Sequence, residues 1–302
     1  MLSPGDRVEL VACSDGLGQS ALNEVQRLRE SLEQLGLRVT SGLPLDRAYG
    51  DSRSPATAHP APDPTRAQHL MDVLEDPSIA AVLDVSGGQL ATGVLTYLDP
   101  RRFARANGFF IGFSNLTAIA NALYGAANAS SLLINPRLLG SNEGVRALFV
   151  DACLAPSATA WLATPARPGS TLVTPRVDFV RGSELSGTLV GGNLTGLLSL
   201  AGTPWFPRVD GAILALEALS PTYSAVAVGL HQLRQMGVFE RVAGVLLGQF
   251  TSIDEKLGRG AVPALAVELI PDVPLATTRH FGHSNDSLAL MIGEPLQLSQ
   301  LD

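Results

Sequence analysis

Three short stretches of this 302-residue chain hold residue types that could do chemistry. In Gly112-Phe113-Ser114-Asn115-Leu116 an apolar run meets a helical pattern that begins near Thr117. A serine at such a turn projects its hydroxyl clear of the sheet, and the next backbone N–H, with the helix N-terminus, can stabilise an oxyanion. Gly112 gives the turn room, but Leu116 stands where a second glycine is usual, and a helix-capping serine fits the pattern as well. The second stretch, His280-Phe281-Gly282-His283 with Asp286, offers two imidazoles and a carboxylate as metal ligands. Its glycine suggests a loop that does not fix both rings on one side, so a single functional or merely exposed histidine is the simpler reading. The third, Gly16-Leu17-Gly18-Gln19-Ser20-Ala21, fits the loose dinucleotide pattern between a strand and a helix. The acidic residue expected about 20 positions on is missing, because the next strand ends Val39-Thr40-Ser41-Gly42. Such turns are common without any cofactor.

The rest of the composition narrows the chemistry. Histidine occurs only as His59, His69, His231, His280 and His283, and Lys256 is the only lysine. Schiff-base and Ser–Lys mechanisms therefore depend on that one lysine. His59 lies between Ala58 and Pro60, in a Pro/Ser/Asp/Ala-rich stretch from Tyr49 to Pro64 that reads as an exposed loop. Cys13 and Cys153 form no CxxC pair, so neither a zinc ribbon nor a thioredoxin-like site is supported. Cys13 ends an apolar run and reads as a buried strand residue. The net charge of −7 argues against a nucleic-acid partner. No segment approaches the roughly 20 apolar residues of a membrane span, and no basic leader precedes an apolar core, so a cytoplasmic protein is expected.

The elements that must position these residues read as alternating strands and helices. Strands are expected at Val8–Cys13, Leu37–Thr40, Ile79–Val85 and Phe109–Phe113, and helices at about Leu22–Leu35, Thr65–Leu74 and Leu90–Leu98. Leu22, Val25, Leu28, Leu32 and Leu35 give the first helix one apolar face. Strands this apolar, separated by helices, predict a parallel, Rossmann-like sheet covered on both faces. After about residue 140 the character changes. Thr171–Val190 is Thr/Val-rich and broken by proline and glycine, followed by strands at Ile213–Leu216 and Val242–Phe250 and helices at Ala225–Met236 and Ala261–Leu269. The expectation is an α/β protein of two domains: residues 1–150 with the serine turn, and a smaller, strand-rich α/β domain over residues 165–302.

Ser114, Gly191-Gly192-Asn193-Leu194-Thr195 through Gly202-Thr203-Pro204, Ile213-Leu214-Ala215-Leu216-Glu217, and Gly282-His283 follow one another in that order. With Thr65-Arg66-Ala67 through Glu75-Asp76-Pro77, the Gly87-Gly88 turn, and Gly237-Val238-Phe239 through Gly248-Gln249-Phe250, the chain resembles the L,D-carboxypeptidase / microcin C immunity family of serine peptidases. The resemblance runs over nearly the whole length. It implies a Ser–His–Glu triad in a cleft between two domains, with Ser114 as nucleophile, His283 as general base and then acid, and Glu217 orienting the imidazole. It further implies an oxyanion hole from the backbone N–H groups of Asn115 and Gly88, no cofactor, and a homodimer acting on a small peptide-like substrate. Three places depart from the family pattern. Ser114-Asn115 replaces Ser-Asp, Ser86-Gly87-Gly88-Gln89 replaces an Arg-Gly-Gly-Tyr type turn, and Leu132-Leu133-Ile134-Asn135-Pro136 stands where His-Gly-Pro is usual. These differences surround the substrate and leave the triad intact.

The leading expectation is L,D-carboxypeptidase-type cleavage of muropeptide-derived tetrapeptides. The alternatives are a microcin-immunity-type hydrolase of peptidyl or aminoacyl nucleotides, and a non-catalytic nucleotide- or ligand-binding member. The order Ser…Glu…His also matches α/β-hydrolases, but the full Gly-x-Ser-x-Gly turn and the further parallel strands expected there are lacking.

Overall fold

The computed structural model describes residues 2–46, 60–106, 108–154, 177–284 and 287–300. His59, Asp286 and the start of the Thr171–Val190 stretch lie outside the described residues. The first half builds β1 (Arg7–Val11), α1 (Gln19–Gln34), β2 (Arg38–Thr40), α2 (Asp63–Glu75), β3 (Ile79–Asp84), α3 (Ala91–Leu95), α4 (Pro100–Phe103), β4 (Phe109–Gly112), α5 (Thr117–Ala127), β5 (Ser131–Leu133) and α6 (Glu143–Cys153). The apolar stripe of α1 buries Val25, Leu28 and Leu32, and Gly36 ends the helix in the left-handed conformation at φ +83°. Two boundaries differ from the apolar pattern. Pro64 fits the first turn of α2, so that helix starts ahead of Thr65. The helix expected over 90–98 ends already at Leu95, and a separate short helix starts beyond it at Pro100, where the Asp99 side chain caps it by accepting the Arg101 N–H.

The second half supplies β6 (Val177–Arg181), β7 (Glu184–Asn193), α7 (Leu194–Leu198), β8 (Ala212–Ala218), α8 (Tyr223–Gln235), β9 (Gly244–Phe250), α9 (Thr251–Leu257), α10 (Ala261–Leu269), β10 (Leu275–Thr278), β11 (Leu290–Ile292) and β12 (Pro295–Ser299). Two six-stranded sheets result, in the orders β11-β5-β4-β3-β1-β2 and β12-β7-β8-β9-β10-β6. The first is parallel except for β11, which pairs antiparallel with β5 at its edge. The second is parallel from β7 to β10 and closed by antiparallel edges, β12 and β6. This is the α/β class expected, with mixed sheets. Short β11 carries the C-terminal segment back into the first sheet. At the junction, Asn121 of α5 binds the Gly191 backbone of β7 both ways, donating to its carbonyl and accepting its N–H at 2.8 Å each. Buried backbone groups need partners, so this amide couples the two sheets where the site lies.

Candidate active site

Strand β4 ends at Gly112, and the chain turns sharply through a single 3₁₀ turn, Ser114–Leu116, into α5. Ser114 sits at φ +59°, a conformation that costs a non-glycine residue about 1–3 kcal/mol and must be over-determined by its surroundings. A Cβ on residue 112 would lie 3.0 Å from the Leu116 Cβ, so any larger residue there would press on Leu116. Leu116 itself is fully buried. Its side chain fills the space over Gly112, which is why the turn closes without a second glycine. Ser114 caps nothing. Its hydroxyl lies 3.1 Å from Nε2 of His283.

His283 comes from the loop after β10, and its Nδ1 lies 2.7 Å from Oε2 of Glu217. A carboxylate only accepts, so Nδ1 carries the proton and Nε2 is left to accept from the serine hydroxyl. The Phe113 ring packs on the imidazole with centroids 4.6 Å apart. Gln249 of β9 braces the loop: its N–H donates to the Phe281 carbonyl at 2.8 Å and its amide donates to Ser284 Oγ at 2.8 Å and to the Arg279 carbonyl. Glu217 is 2% exposed near the end of β8. Its second oxygen accepts the Asn193 amide at 3.0 Å, so both oxygens are engaged.

Asn193 belongs to the most distinctive part of the sequence, although the sequence alone gave it no role. It stands opposite Glu217 in the parallel register of β7 and β8. Its Oδ1 accepts the Gly196 N–H and caps α7, and its own N–H donates to Thr117 Oγ1 at 2.9 Å. A Cβ at residue 192 would fall 2.5 Å from that same hydroxyl, so Gly192 allows the approach. Serine, imidazole, carboxylate, Asn193 and Thr117 thus link the two sheets through a run of short contacts. A polar pair in strand register, at the end of a strand otherwise buried and apolar, is the signal that could have singled out Asn193.

The turn at Ser86-Gly87-Gly88-Gln89 leads to Ala91, whose N–H reaches the elbow at Asn115. Gly88 has φ +107°, and a Cβ there would lie 2.2 Å from the Asp15 carboxyl. Asp15 accepts the Gln89 N–H at 3.2 Å, and its own N–H donates to the Gly87 carbonyl. Beneath the turn, Asp84 is completely buried and accepts from Cys13 N, Ser86 N and the Ser86 hydroxyl. Burial raises the Asp84 carboxyl above the usual range in spite of those donors. Ser86, in the place of the family's arginine, therefore locks the turn from below. Asn115, which stands where the resemblance has aspartate, takes the Ala91 N–H on Oδ1 at 3.0 Å. The backbone N–H groups of Asn115 and Gly88 donate to no acceptor among the described residues. Beside His283 a narrow groove is walled by Phe113, Ile134, Asn135, Leu138 and Leu288. Asn135 lies in the segment that replaces His-Gly-Pro.

Of the second stretch only His283 joins this site, and the third stays apart from it. His280 is buried and separate from the Ser114–His283 contact, with Nε2 3.4 Å from Arg279 Nε. Among the described residues no group of three His, Cys, Asp or Glu side chains could hold a metal. In the Gly16–Ala21 turn, Leu17 is buried, its N–H donates to the Leu45 carbonyl, and it bridges to Asp46, which packs the turn against protein. Ser114 and Glu217 sit on different sheets, unlike the single sheet of an α/β-hydrolase.

The class that fold and site define is a two-sheet α/β protein with a Ser–His–Glu hydrogen-bonded chain across the junction. The LD-carboxypeptidase N-terminal domain model matches residues 8–133 and the LD-carboxypeptidase C-terminal domain model matches residues 186–298. The chain belongs to the LD-carboxypeptidase family. It is 21% identical to the microcin C7 self-immunity protein MccF of Escherichia coli, over 98% of this chain and 91% of that protein. It is 24% identical to the "probable murein peptide carboxypeptidase" of Bacillus subtilis, over 82% of this chain and 73% of that one. A solved structure of MccF in complex with aspartyl sulfamoyl adenosine matches with a TM-score of 0.80 at 19% identity, covering 99% of this chain and 94% of the other. The muramoyltetrapeptide carboxypeptidase of Oxalobacter formigenes matches with a TM-score of 0.72 at 23% identity, covering 98% and 95%. Among the described residues no helix is long and apolar enough to cross a membrane.

Proposed function

We propose that this protein is a serine-type carboxypeptidase that hydrolyses a peptide-like amide, with muropeptide-derived tetrapeptides as the leading substrate class. The observation that carries the reading is the hydrogen-bonded line Ser114 Oγ–His283 Nε2–Glu217, at 3.1 and 2.7 Å, with the serine held at positive φ. A serine hydroxyl is a weak nucleophile until a base takes its proton. His283 Nε2 takes the Ser114 proton as Oγ attacks the carbonyl carbon. Glu217 stabilises the imidazolium through Nδ1–H and keeps the ring in one tautomer. The Asn115 and Gly88 N–H groups receive the oxyanion, and His283 then returns its proton to the leaving amine. A water molecule, deprotonated by the same imidazole, releases the acyl group and restores Ser114.

A peptidyl- or aminoacyl-nucleotide substrate, as the name and bound ligand of MccF suggest for that protein, uses the same steps with a different group in the cleft. Purified protein is assayed with an L,D-linked tetrapeptide and with an aminoacyl sulfamoyl adenosine, each alongside Ser114→Ala. Release of the terminal residue from the tetrapeptide by the wild type, abolished in Ser114→Ala, is the expected result. Turnover of the nucleotide conjugate alone assigns the second substrate class. Unchanged hydrolysis in a folded Ser114→Ala protein refutes the nucleophile.

A further inference from the structure

A second cavity, of about 160 Å³, lies where β9 and β10 end, on the far side of Gln249 from the His283 groove. Its wall includes Asp178 of β6, Gln249, Asp254 of α9, Arg259, Thr277 and Arg279. The carboxyl ends of parallel strands are where α/β sheets hold ligands, because the chain departs in loops that leave a crevice there. The charges in the wall are distinctive. Among the described residues neither Arg259 nor Arg279 forms an ion pair, in a chain with a net charge of −7. Two guanidinium groups brought to one crevice suit a carboxylate, which each can bind through two N–H donors. Asp254 spends one oxygen on the Phe250 N–H at 3.2 Å, and burial raises its carboxyl above the usual range. The Phe250 N–H and the nearby Arg259 charge offset that burial only in part.

We propose that this cavity is a second binding site, for an α-amino carboxylate, with the ligand carboxylate between Arg259 and Arg279 and its ammonium facing Asp254. Gln249 gives the site a route to the chemistry. It lines the cavity, and its amide also holds the Arg279 carbonyl and Ser284, on either side of His283 in the same loop. Two sources carry this ligand chemistry: a free amino acid, or a side chain of a bound peptide that itself ends in an α-amino carboxylate. The site itself does not rest on the role of Ser114.

Calorimetric titration of the full chain with glycine, acetate and ethylamine tests the proposal. Glycine is expected to bind at least tenfold more tightly than acetate or ethylamine, and equally well to wild type and to Ser114→Ala. The Arg259→Ala/Arg279→Ala double variant, at exposed positions and checked for folding by circular dichroism, is expected to lose at least tenfold in glycine affinity. The milder Arg279→Gln change must weaken it too. No glycine binding to the wild type, equal binding by the folded double variant, or glycine binding no better than acetate overturns the assignment. Turnover separates the two sources: glycine that raises KM alone marks a site for the substrate's own end, and glycine that alters kcat marks a free amino acid acting through Gln249. Saturating glycine without effect on either refutes both sources. Failure of Ser114→Ala to stop hydrolysis would leave the glycine result standing, so the two readings fail separately.

Discussion

Replacing Glu217 by glutamine changes one atom, and the structure gives its consequence. Glu217 receives Nδ1–H of His283 on one oxygen and the Asn193 amide on the other. A glutamine has one acceptor and one donor. Keeping the Asn193 bond turns its NH₂ toward His283 Nδ1 and forces the tautomer in which Nε2 carries the proton. That ring can no longer accept from Ser114. The lost charge matters as well: two unit charges about 4 Å apart interact by roughly 4 kcal/mol at an effective dielectric of about 20. Loss of the tautomer and the charge together should lower kcat about 10³–10⁴-fold, in line with the comparable change in serine-protease triads. Adding Asn193→Asp to Glu217→Gln supplies an acceptor for the glutamine NH₂ and keeps one for the Gly196 N–H. The glutamine carbonyl then faces His283, and about 10–100-fold of kcat should return as the correct tautomer is restored. Labelling of Ser114 by a fluorophosphonate reads the same effect independently of substrate. Glu217→Gln activity within tenfold of wild type, or a double variant slower than the single one, would refute the tautomer argument.

The remaining predictions concern the turn and two buried carboxylates. Gly88→Ala puts a Cβ against the Asp15 carboxyl at an unfavourable φ, so kcat should fall by at least about tenfold and thermal unfolding should move to lower temperature as well; wild-type kcat in the folded variant would remove Gly88 from the oxyanion site. Burial tends to raise the Glu9 carboxyl, but hydrogen bonds from His69, Thr40 and Gly42 outweigh it and hold it below the usual range. Its stabilising contribution is therefore present above the unfolded pKa and lost as pH falls through the folded one. Glu9→Gln should accordingly lower Tm at pH 7, by an amount that shrinks on acidification; a pH-independent difference would contradict this. Asp84 has the opposite sign. Its raised carboxyl contributes stability below the unfolded pKa that is lost as pH rises through the folded one, so the Tm of Asp84→Asn relative to wild type should rise with pH over that range.

The legible parts of the fold were those with strong local signals. The apolar strands and the helical stripe of Val25, Leu28 and Leu32 became the first sheet and its covering helix, since burying an apolar face is a local pattern with one outcome. The early end of α3 at Leu95 and the separate turn from Pro100 were not legible, because the Asp99 cap and the proline act locally where the apolar pattern carries no signal. Ser114 could be suspected from its turn, but a capping serine has the same residues around it.

The sequence by itself determined the α/β class, the short list of histidines and the residues that carry the family resemblance, because hydrophobic period and residue type are written along the chain. The tertiary structure decided which of them meet. Ser114 and His283 are 169 residues apart in sequence and come from different sheets, yet their side chains approach to 3.1 Å. Asn193 reaches Glu217 only because β7 and β8 pair in one particular register. Asp84 and Ser86 accept the Cys13 and Ser14 N–H groups and Asp15 accepts the Gln89 N–H, contacts across more than 70 residues that no local pattern records. A hydrogen bond has a range of about 3 Å, and which groups fall within that range across a long chain is set by strand order and register alone.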